Sequence, residues 1–328
     1  MKEPFNNSSS PSYLFDVSII IPVHNGSGTL ERCLNTLLTK SEISQEIILV
    51  NDFSTDNSEE IIDSYIQKYP NIKLINSDHN MGAGLARNIG IQCASGKYIG
   101  FVDCDDWVDL GLFVAVTRIL EQTDADIAIF GVRDEYGNSF NSKARYTYTN
   151  QLTFSTDIAM ELLSRCITNR EYISPMVCQK VYRQEFLKRN NLLFTGNRHF
   201  EDDIFSYLCF MNKGTVAIVP TLEYHYMQCH YSVSHTMSKE YIEDFAKAFR
   251  YLRNELEREN LFVKMQHSFF SYMDKCLSSL FKTLVTEEQN IVVQKKYLAF
   301  LFSLIQEFVS IKEAVEYIDP SRFQRLWN

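Results

Sequence analysis

Residues 96–107 read GKYIGFVDCDDW. The apolar run through Phe101 and Val102 is a strand, and it stops in three carboxylates, Asp103, Asp105 and Asp106, with Cys104 between the first two. Unpaired carboxylates are rarely buried, so this group must face water, a cation or a ligand. Ligands of open α/β sheets sit in the crevice beyond the carboxyl ends of the strands, and hard divalent cations prefer carboxylate oxygen. An Asp-x-Asp pair in that place reads as a metal and phosphate site. The same triplet also fits a solvated acidic loop before a helix beginning near Leu110, so the decision rests on the flanking sequence.

Upstream, VSIIIPV from Val17 is a β-branched strand ended by Pro22, followed by HNGSGTL as a turn and an amphipathic helix from Leu30 to Leu38. EIILVND is a second strand ending at Asp52, with Ser54 or Thr55 placed to cap a helix from about Ser58 to Tyr69. IKLINS is a third strand, NMGAGLARNIGIQCA a glycine-loosened turn entering a helix, and KYIGFVD a fourth strand. Strands alternating with helices of about ten residues predict right-handed crossovers and a mostly parallel, Rossmann-like α/β sheet flanked by helices. The strands show little polar alternation, as strands covered on both faces should. A helix from Leu110 to Glu121 and a strand at ADIAIFGV carry this pattern to Val132.

Beyond Val132 the pattern loosens. DEYGNSFNSKARYTYTNQ reads as a hairpin or excursion, TDIAMELLSR as a helix, and VCQKVYRQEFLKRNNLLF as a short strand or helix followed by a basic helix. From about Ser238 onward the chain is helix-compatible, with Phe245, Phe249, Leu252 and Leu256 at three- and four-residue spacing. The first residues, MKEPFNNSSSPSY, are polar and read as a disordered leader over residues 1–15.

The 328 residues are 45% hydrophobic and 22% charged, the composition of a soluble globular protein. A net charge of -9 excludes nonspecific nucleic-acid binding, because no basic excess can neutralise backbone phosphates. An acidic protein that handles an anionic ligand therefore needs a metal or a few local cations. The eight cysteines are scattered without a CxxC pair, which suggests a reducing, cytoplasmic setting. No apolar run is long enough for a membrane span, and the richest, YLAFLFSLIQEFVSI, is interrupted by Gln306 and Glu307. KKYLAFLFSLIQEF and FQRLWN fit a buried helix bundle; a homodimer contact or a peripheral contact on the inner face of the plasma membrane are the alternatives.

Five stretches in order, VSIIIPVHN, EIILVNDFSTDNS, NMGAGLARNIGI, GKYIGFVDCDD and HFEDDIF, together resemble the family 2 glycosyltransferases, which have the GT-A nucleotide-sugar-binding fold. The resemblance covers about residues 17 to 235. It implies a GT-A catalytic domain over 16–237, divided into a nucleotide-sugar-binding half (16–132) and an acceptor-binding half (133–237), with a helical C-terminal region over 238–328. It further implies a metal-dependent, inverting enzyme of surface polysaccharide synthesis that uses Mn²⁺ or Mg²⁺. The donor would be a nucleoside diphosphate sugar, a UDP-sugar in this reading, and the acceptor a hydroxyl of a glycan or glycolipid. A nucleotide-sugar-binding scaffold without turnover and a nucleotidyltransferase are the alternatives. The second usually carries a glycine- and lysine-rich loop after its first strand, whereas HNGSGTL has no lysine or arginine before Arg32.

The same resemblance assigns residues. Pro22, His24 and Asn25 lie along the base or ribose, although His24 alone also reads as an ordinary loop histidine. Asp52 accepts hydrogen bonds from the base or ribose, or else caps the following helix with Ser54 or Asp56. Gly82 and Gly84 permit close backbone approach, and Arg87, placed with Asn88 at the helix start, reaches the nucleotide or holds the DxD loop; a surface ion pair is the plain alternative. Asp103 serves the ribose or the metal, Asp105 the metal bridging the two phosphates, Cys104 is a filler between them, and Asp106 caps or orients the next helix. Asp202 is the general base, Glu201 contacts the acceptor or orients the base, and Asp203 is the same choice shifted by one residue. Acid at a helix N-terminus is also explained by the helix dipole alone. His225, His230 and His235 are candidates for an additional metal ligand or are structural.

Overall fold

The computed structural model describes residues 12–137, 141–164, 173–228, 238–287 and 291–317. The leader read over residues 1–15 lies outside the described residues as far as residue 11, and Phe15 already belongs to the first strand.

Four strands and three helices form the first half: β1 (Phe15–Val23), α1 (Leu30–Leu37), β2 (Gln45–Asn51), α2 (Ser58–Ile66), β3 (Ile72–Asn76), α3 (Ala83–Cys93) and β4 (Gly96–Phe101). β1 lies between β2 and β4 and runs parallel to both, and β3 pairs in parallel with the outer edge of β2. Every residue of β1 from Val17 to Val23 is buried, because alternate side chains enter two different layers. Ile20 joins a cluster on the α3 side, while Ile19 and Ile21 join one that contains Leu30, Leu34 and Val116 on the other.

The second half comprises β5 (Trp107–Val108), α4 (Leu112–Thr123), β6 (Ile127–Tyr136), β7 (Asn141–Tyr146), β8 (Leu152–Ser155), α5 (Thr156–Ser164), β9 (Lys180–Arg183), α6 (Gln184–Arg189), α7 (Glu201–Met211) and β10 (Thr215–Gln228). The strand order is β3-β2-β1-β4-β9-β6-β10-β5, with β7 on β6 and β8 on β10. The strand ADIAIFGV does extend the sheet, but not beside β4. β9 lies antiparallel between β4 and β6, so the parallel character set by the first half gives way to a mixed sheet. A four-residue strand with Val181 and Tyr182 wholly buried can fill that slot; the sequence offered a short strand or helix before a basic helix here, and the structure makes it the strand, with α6 following.

β10 changes register against β6 between Val219 and Tyr224, across Pro220. Proline cannot donate to the ladder and is tolerated at such an irregularity. The shift sets Tyr224 opposite Val108 of β5, which brings the far end of β10 alongside the Asp103–Asp106 loop.

The remaining helices are α8 (Lys239–Arg258), α9 (Phe262–Glu287), α10 (Ile291–Ile305) and α11 (Ile311–Tyr317). Phe245, Phe249, Leu252 and Leu256 of α8 are buried, with Leu301 of α10, in the same cluster as Ile20, Phe101 and Phe205. Each such side chain contributes about 1.5–3 kcal/mol of hydrophobic burial. The C-terminal helices thus close one face of the sheet. Among the described residues no helix is long and apolar enough to cross a membrane.

α3 rests on β1 with almost nothing between them: a Cβ on Gly90 would stand 2.3 Å from Cγ2 of Ile20. Ile20 is β-branched and held at χ1, so it cannot swing away. Gly90→Ala is expected to destabilise the fold by about 1–3 kcal/mol net, although alanine gains about 1 kcal/mol over glycine in helix propensity. A lower urea midpoint at unchanged m-value would show this; an unchanged or higher midpoint would mean that α3 does not sit this close.

Candidate active site

The carboxyl ends of β1, β2 and β4 open onto one edge of the sheet, and the predicted residues gather there. Pro22 is buried at the end of β1, while His24 and Asn25 are exposed on the turn after it. His24 places Nδ1 2.8 Å from the carbonyl of Asp52 and Nε2 3.0 Å from the Asn80 amide. Asn25 adopts a left-handed conformation, φ 53°, tolerated by asparagine, and its side-chain carbonyl accepts the N–H of Thr55 at 2.8 Å. The start of α2 is served by Asp56, which accepts the Ser58 N–H at 3.1 Å, and not by Ser54 or Thr55, which instead hold the Asn25 turn.

Asp52 is buried, and its two oxygens accept the N–H groups of Met81 and Gly82, each at 2.8 Å. It therefore pins the turn entering α3 and does not cap α2. Gly82 needs its lack of a Cβ there, because its φ is 91°.

Arg87 is the centre of the arrangement. It lies well inside α3 and not at its start, with only 4% of its side chain exposed, and donates to Asp103 Oδ1 at 2.8 Å and to Asp202 Oδ1 at 3.0 Å, with Glu201 Oε1 at 3.5 Å. Its guanidinium stands 5.5 Å from the ring centroid of Phe194, which is itself stacked on Phe205 at 4.0 Å. One planar cation thus joins the end of β4 to the first turn of α7. Burial opposes the charge on Arg87, but Asp202, Asp103 and Glu201 outweigh it and keep the guanidinium protonated.

The acidic start of α7 follows Phe200, whose φ is 63°. Asp202 accepts the Val177 N–H on Oδ2 at 3.1 Å and keeps 25% of its side chain open. Burial raises its pKa, Asp103 adds to that, and Arg87 opposes it. Asp203 points the other way and accepts a hydrogen bond from the hydroxyl of Tyr272 on α9. Burial lifts Asp203 to about 6 against that bond, and burial with the neighbouring Asp202 lifts Glu201 to about 8.

In the DxD loop Asp103 has 29% of its side chain exposed. Asp105 is pushed up to about 6 by burial and then by Asp103, with Arg32 opposing, and among the described residues its carboxylate forms no ion pair. Asp106 does not cap the next helix. It is fully buried, accepts the Tyr224 hydroxyl at 2.7 Å and the Met227 N–H at 2.8 Å, and ties the loop to β10. The Tyr224 oxygen in turn lies 3.3 Å from the N–H of Asp103. Cys104 packs under the β1 turn, its sulfur 3.0 Å from where a Gly26 Cβ would be, and burial pushes its thiol up to about 12.

Asp103, Asp106 and Cys178 are the described ligand-type residues whose donor atoms cluster within 4.8 Å. Asp106 is already bonded at both oxygens, and burial holds the Cys178 thiol protonated. Asp103, bonded to Arg87 through one oxygen, and Asp105, raised by burial and by Asp103, remain as hard oxygen donors, a set that fits a hard divalent cation. His225 is not aimed at them: it is stacked on Trp107 at 5.1 Å, with Nδ1 2.7 Å from Glu135 and Nε2 3.1 Å from Asp109. His230 and His235 lie outside the described residues.

Sequence reasoning passed over Lys180, Tyr224, Asp244 and Tyr272. Asp244 on α8 accepts the N–H groups of Arg198 and His199 at 3.2 and 3.3 Å, so it holds the approach to α7. Lys180 carried a readable signal, a lone lysine among the apolar residues of VCQKVY; the others signal only through partners remote in sequence.

At the open end of the α/β sheet, the acidic loop after β4 thus faces the acidic start of α7 across one buried arginine. Residues 18–190, more than half of the chain, match the model for Glycosyl transferase family 2, and the chain belongs to that family. It is similar to the uncharacterised glycosyltransferase YibD of Escherichia coli K12, 34% identical over 195 residues that cover 58% of this chain and 55% of that one. It is also similar to the poly(ribitol-phosphate) beta-glucosyltransferase of Bacillus spizizenii, at 27% identity over 64% of this chain and 32% of the relative. The chain spans about half the length of the first two curated relatives it matches. The crystal structure of S. aureus TarS residues 1–349 with UDP-GlcNAc superposes with a TM-score of 0.71 at 19% identity, over 89% of this chain and 81% of that one, and shares its fold.

Two outcomes follow from the arginine. Arg87→Ala leaves its carboxylates without their shared cation and is expected to cost about 3–5 kcal/mol in urea unfolding. Glu201, with a folded pKa of about 8 against 4.5 for the free group, holds a proton that the unfolded chain releases, so this group makes stability fall as pH rises from about 4.5 to 8. Glu201→Gln should flatten that part of the stability profile; an unaltered slope would show that Glu201 is ionised in the folded protein.

Proposed function

We propose that the chain is a metal-dependent, inverting glycosyltransferase that moves a sugar from a UDP-sugar to a hydroxyl of a glycan or glycolipid in surface polysaccharide assembly. The observation that carries this reading is Arg87, which holds Asp103 at 2.8 Å and Asp202 at 3.0 Å and so sets the donor loop against a carboxylate able to act as base. The relatives support the substrate class, since one is named for glucosyl transfer to poly(ribitol phosphate) and one structural neighbour holds UDP-GlcNAc. In this reading residues 16–132 bind the donor and 133–237 the acceptor, in the cytoplasm or on the inner face of the plasma membrane.

The nucleoside lies along Pro22, His24, Asn25 and Asp52. Asp103 and Asp105 would hold Mn²⁺ or Mg²⁺, which when bound supplies Lewis-acid neutralisation of the departing diphosphate. Asp202 takes the proton of the acceptor hydroxyl, for which a carboxylate raised by burial is better matched to neutral pH than a free aspartate. The acceptor oxygen bonds to the anomeric carbon as the bond from that carbon to the diphosphate oxygen breaks on the opposite face. A single displacement inverts the configuration. Asp203, bonded to Tyr272, is the less available of the two neighbouring aspartates, and Glu201 orients the acceptor.

Calorimetric titration with UDP, GDP, CDP and dTDP, with and without Mn²⁺, tests the donor site. UDP is expected to bind in a metal-dependent way, with Asp105→Ala about tenfold or more weaker. Asp202→Asn should bind UDP-GlcNAc like the parent while UDP release from it falls by about 10²-fold or more. Metal-independent binding that Asp105→Ala leaves intact would refute the donor-site assignment, and full turnover by Asp202→Asn would refute the base.

A further inference from the structure

Lys180 opens β9, and its side chain is entirely buried. Burying an ammonium costs several kcal/mol unless its donors are met. Among the described residues it forms no salt bridge; it donates instead to the carbonyls of Ser174 and Met176, each at 2.6 Å, short contacts of the kind a charged donor makes.

The Met176 carbonyl belongs to the same peptide group as the Val177 N–H, and that N–H donates to Oδ2 of Asp202 at 3.1 Å. A cation on the oxygen of a peptide withdraws electron density and strengthens its N–H as a donor, since linked hydrogen bonds polarise one another. The preceding peptide, Pro175–Met176, is in turn tied to α7. Ser206, four residues after Asp202, donates its hydroxyl to the Pro175 carbonyl at 2.6 Å.

We propose that Lys180 is a positioning residue for Asp202, acting through the Met176–Val177 peptide to hold and polarise the N–H on Oδ2 while Arg87 holds Oδ1. The proposal rests on Asp202 being the base. It explains why a buried lysine stands on the strand inserted between β4 and β6, and why the loop before that strand is fixed by both Lys180 and Ser206. The charged groups around Asp202 are Arg87 from α3, Asp103 from the loop after β4, Lys180 from β9, and Glu201 and Asp203 beside it on α7. Arg87 and Lys180 favour its ionised form, and Asp103 with burial opposes it. Lys180 itself is pushed down to about 8 by burial and so keeps its charge at neutral pH.

The test is infrared titration of the full chain labelled with carbon-13 aspartate, with Asp202→Asn subtracted to isolate the Asp202 carboxylate band. Lys180→Met is expected to move the Asp202 midpoint upward by about one pH unit or more. Lys180→Gln, which keeps an amide donor for the loop but no charge, should move it the same way and serves if the methionine variant does not fold. With UDP-GlcNAc and Mn²⁺ as probe, UDP release by these variants should show kcat lower by about tenfold and KM within about twofold of the parent. An Asp202 midpoint unchanged in a folded Lys180 variant overturns the proposal, whatever the melting temperature does. Turnover retained by Asp202→Asn would instead fail the base reading, leaving the relay to be judged on the titration alone.

Discussion

A guanidinium taken out of water has to find its hydrogen bonds inside the protein, and Arg87 finds them on carboxylates drawn from both halves of the chain. Asp103 comes from the end of β4, only 16 residues along, while Asp202 is 115 residues away at the start of α7. The pairing is bought with backbone features nearby. Gly84 lets α3 approach α7, since a Cβ there would meet the Glu201 side chain at 3.2 Å, and Phe200 accepts a left-handed conformation so that α7 starts with its acids facing the arginine. Arg87, even with Arg32 near Asp105 and Lys180 near Asp202, does not balance Asp103, Asp105, Asp106, Glu201 and Asp202 together. Burial together with this excess raises the carboxyls of Asp105 and Glu201.

The C-terminal helices lie wholly beyond the stretch that the family model matches, yet they act on the same centre. Asp244 of α8 fixes the main chain at Arg198 and His199, and Tyr272 of α9 occupies Asp203. α7 is therefore held from the sheet side by Arg87 and the Val177 amide and from the helical side by Asp244 and Tyr272. This division separates two adjacent aspartates that sequence alone could not separate. Asp202 keeps part of its side chain exposed beside these bonds, whereas Asp203 is committed to the helical layer.

β10 has a comparable part at the Asp103–Asp106 loop. Its register shift near Pro220 brings Tyr224 and Met227 onto Asp106, so the third acid of the triplet becomes a buried tie between loop and sheet and the first two are left outward. The reading of Asp106 as a cap for the next helix failed because capping is inferred from neighbours in sequence, and the partner here is 118 residues away. The same reason explains Asp52, whose amide partners lie about thirty residues beyond it in the turn into α3, and His225, which is absorbed by Trp107, Glu135 and Asp109.

The sequence by itself determined the succession of strands and helices as far as Val132, apart from the two-residue β5, with the parallel core of β1 to β4, the burial of the α8 stripe and the residues at which strands stop in acids. These properties follow from periodicity and from the solvation of carboxylates, both local along the chain. Only the tertiary structure decided that β9 enters antiparallel between β4 and β6, that Arg87 faces Asp103 and Asp202 together, and that Lys180 reaches Asp202 through a peptide group. Each depends on atoms far apart in sequence brought within hydrogen-bond distance, where burial makes an unmet charge too costly to leave and so selects one arrangement.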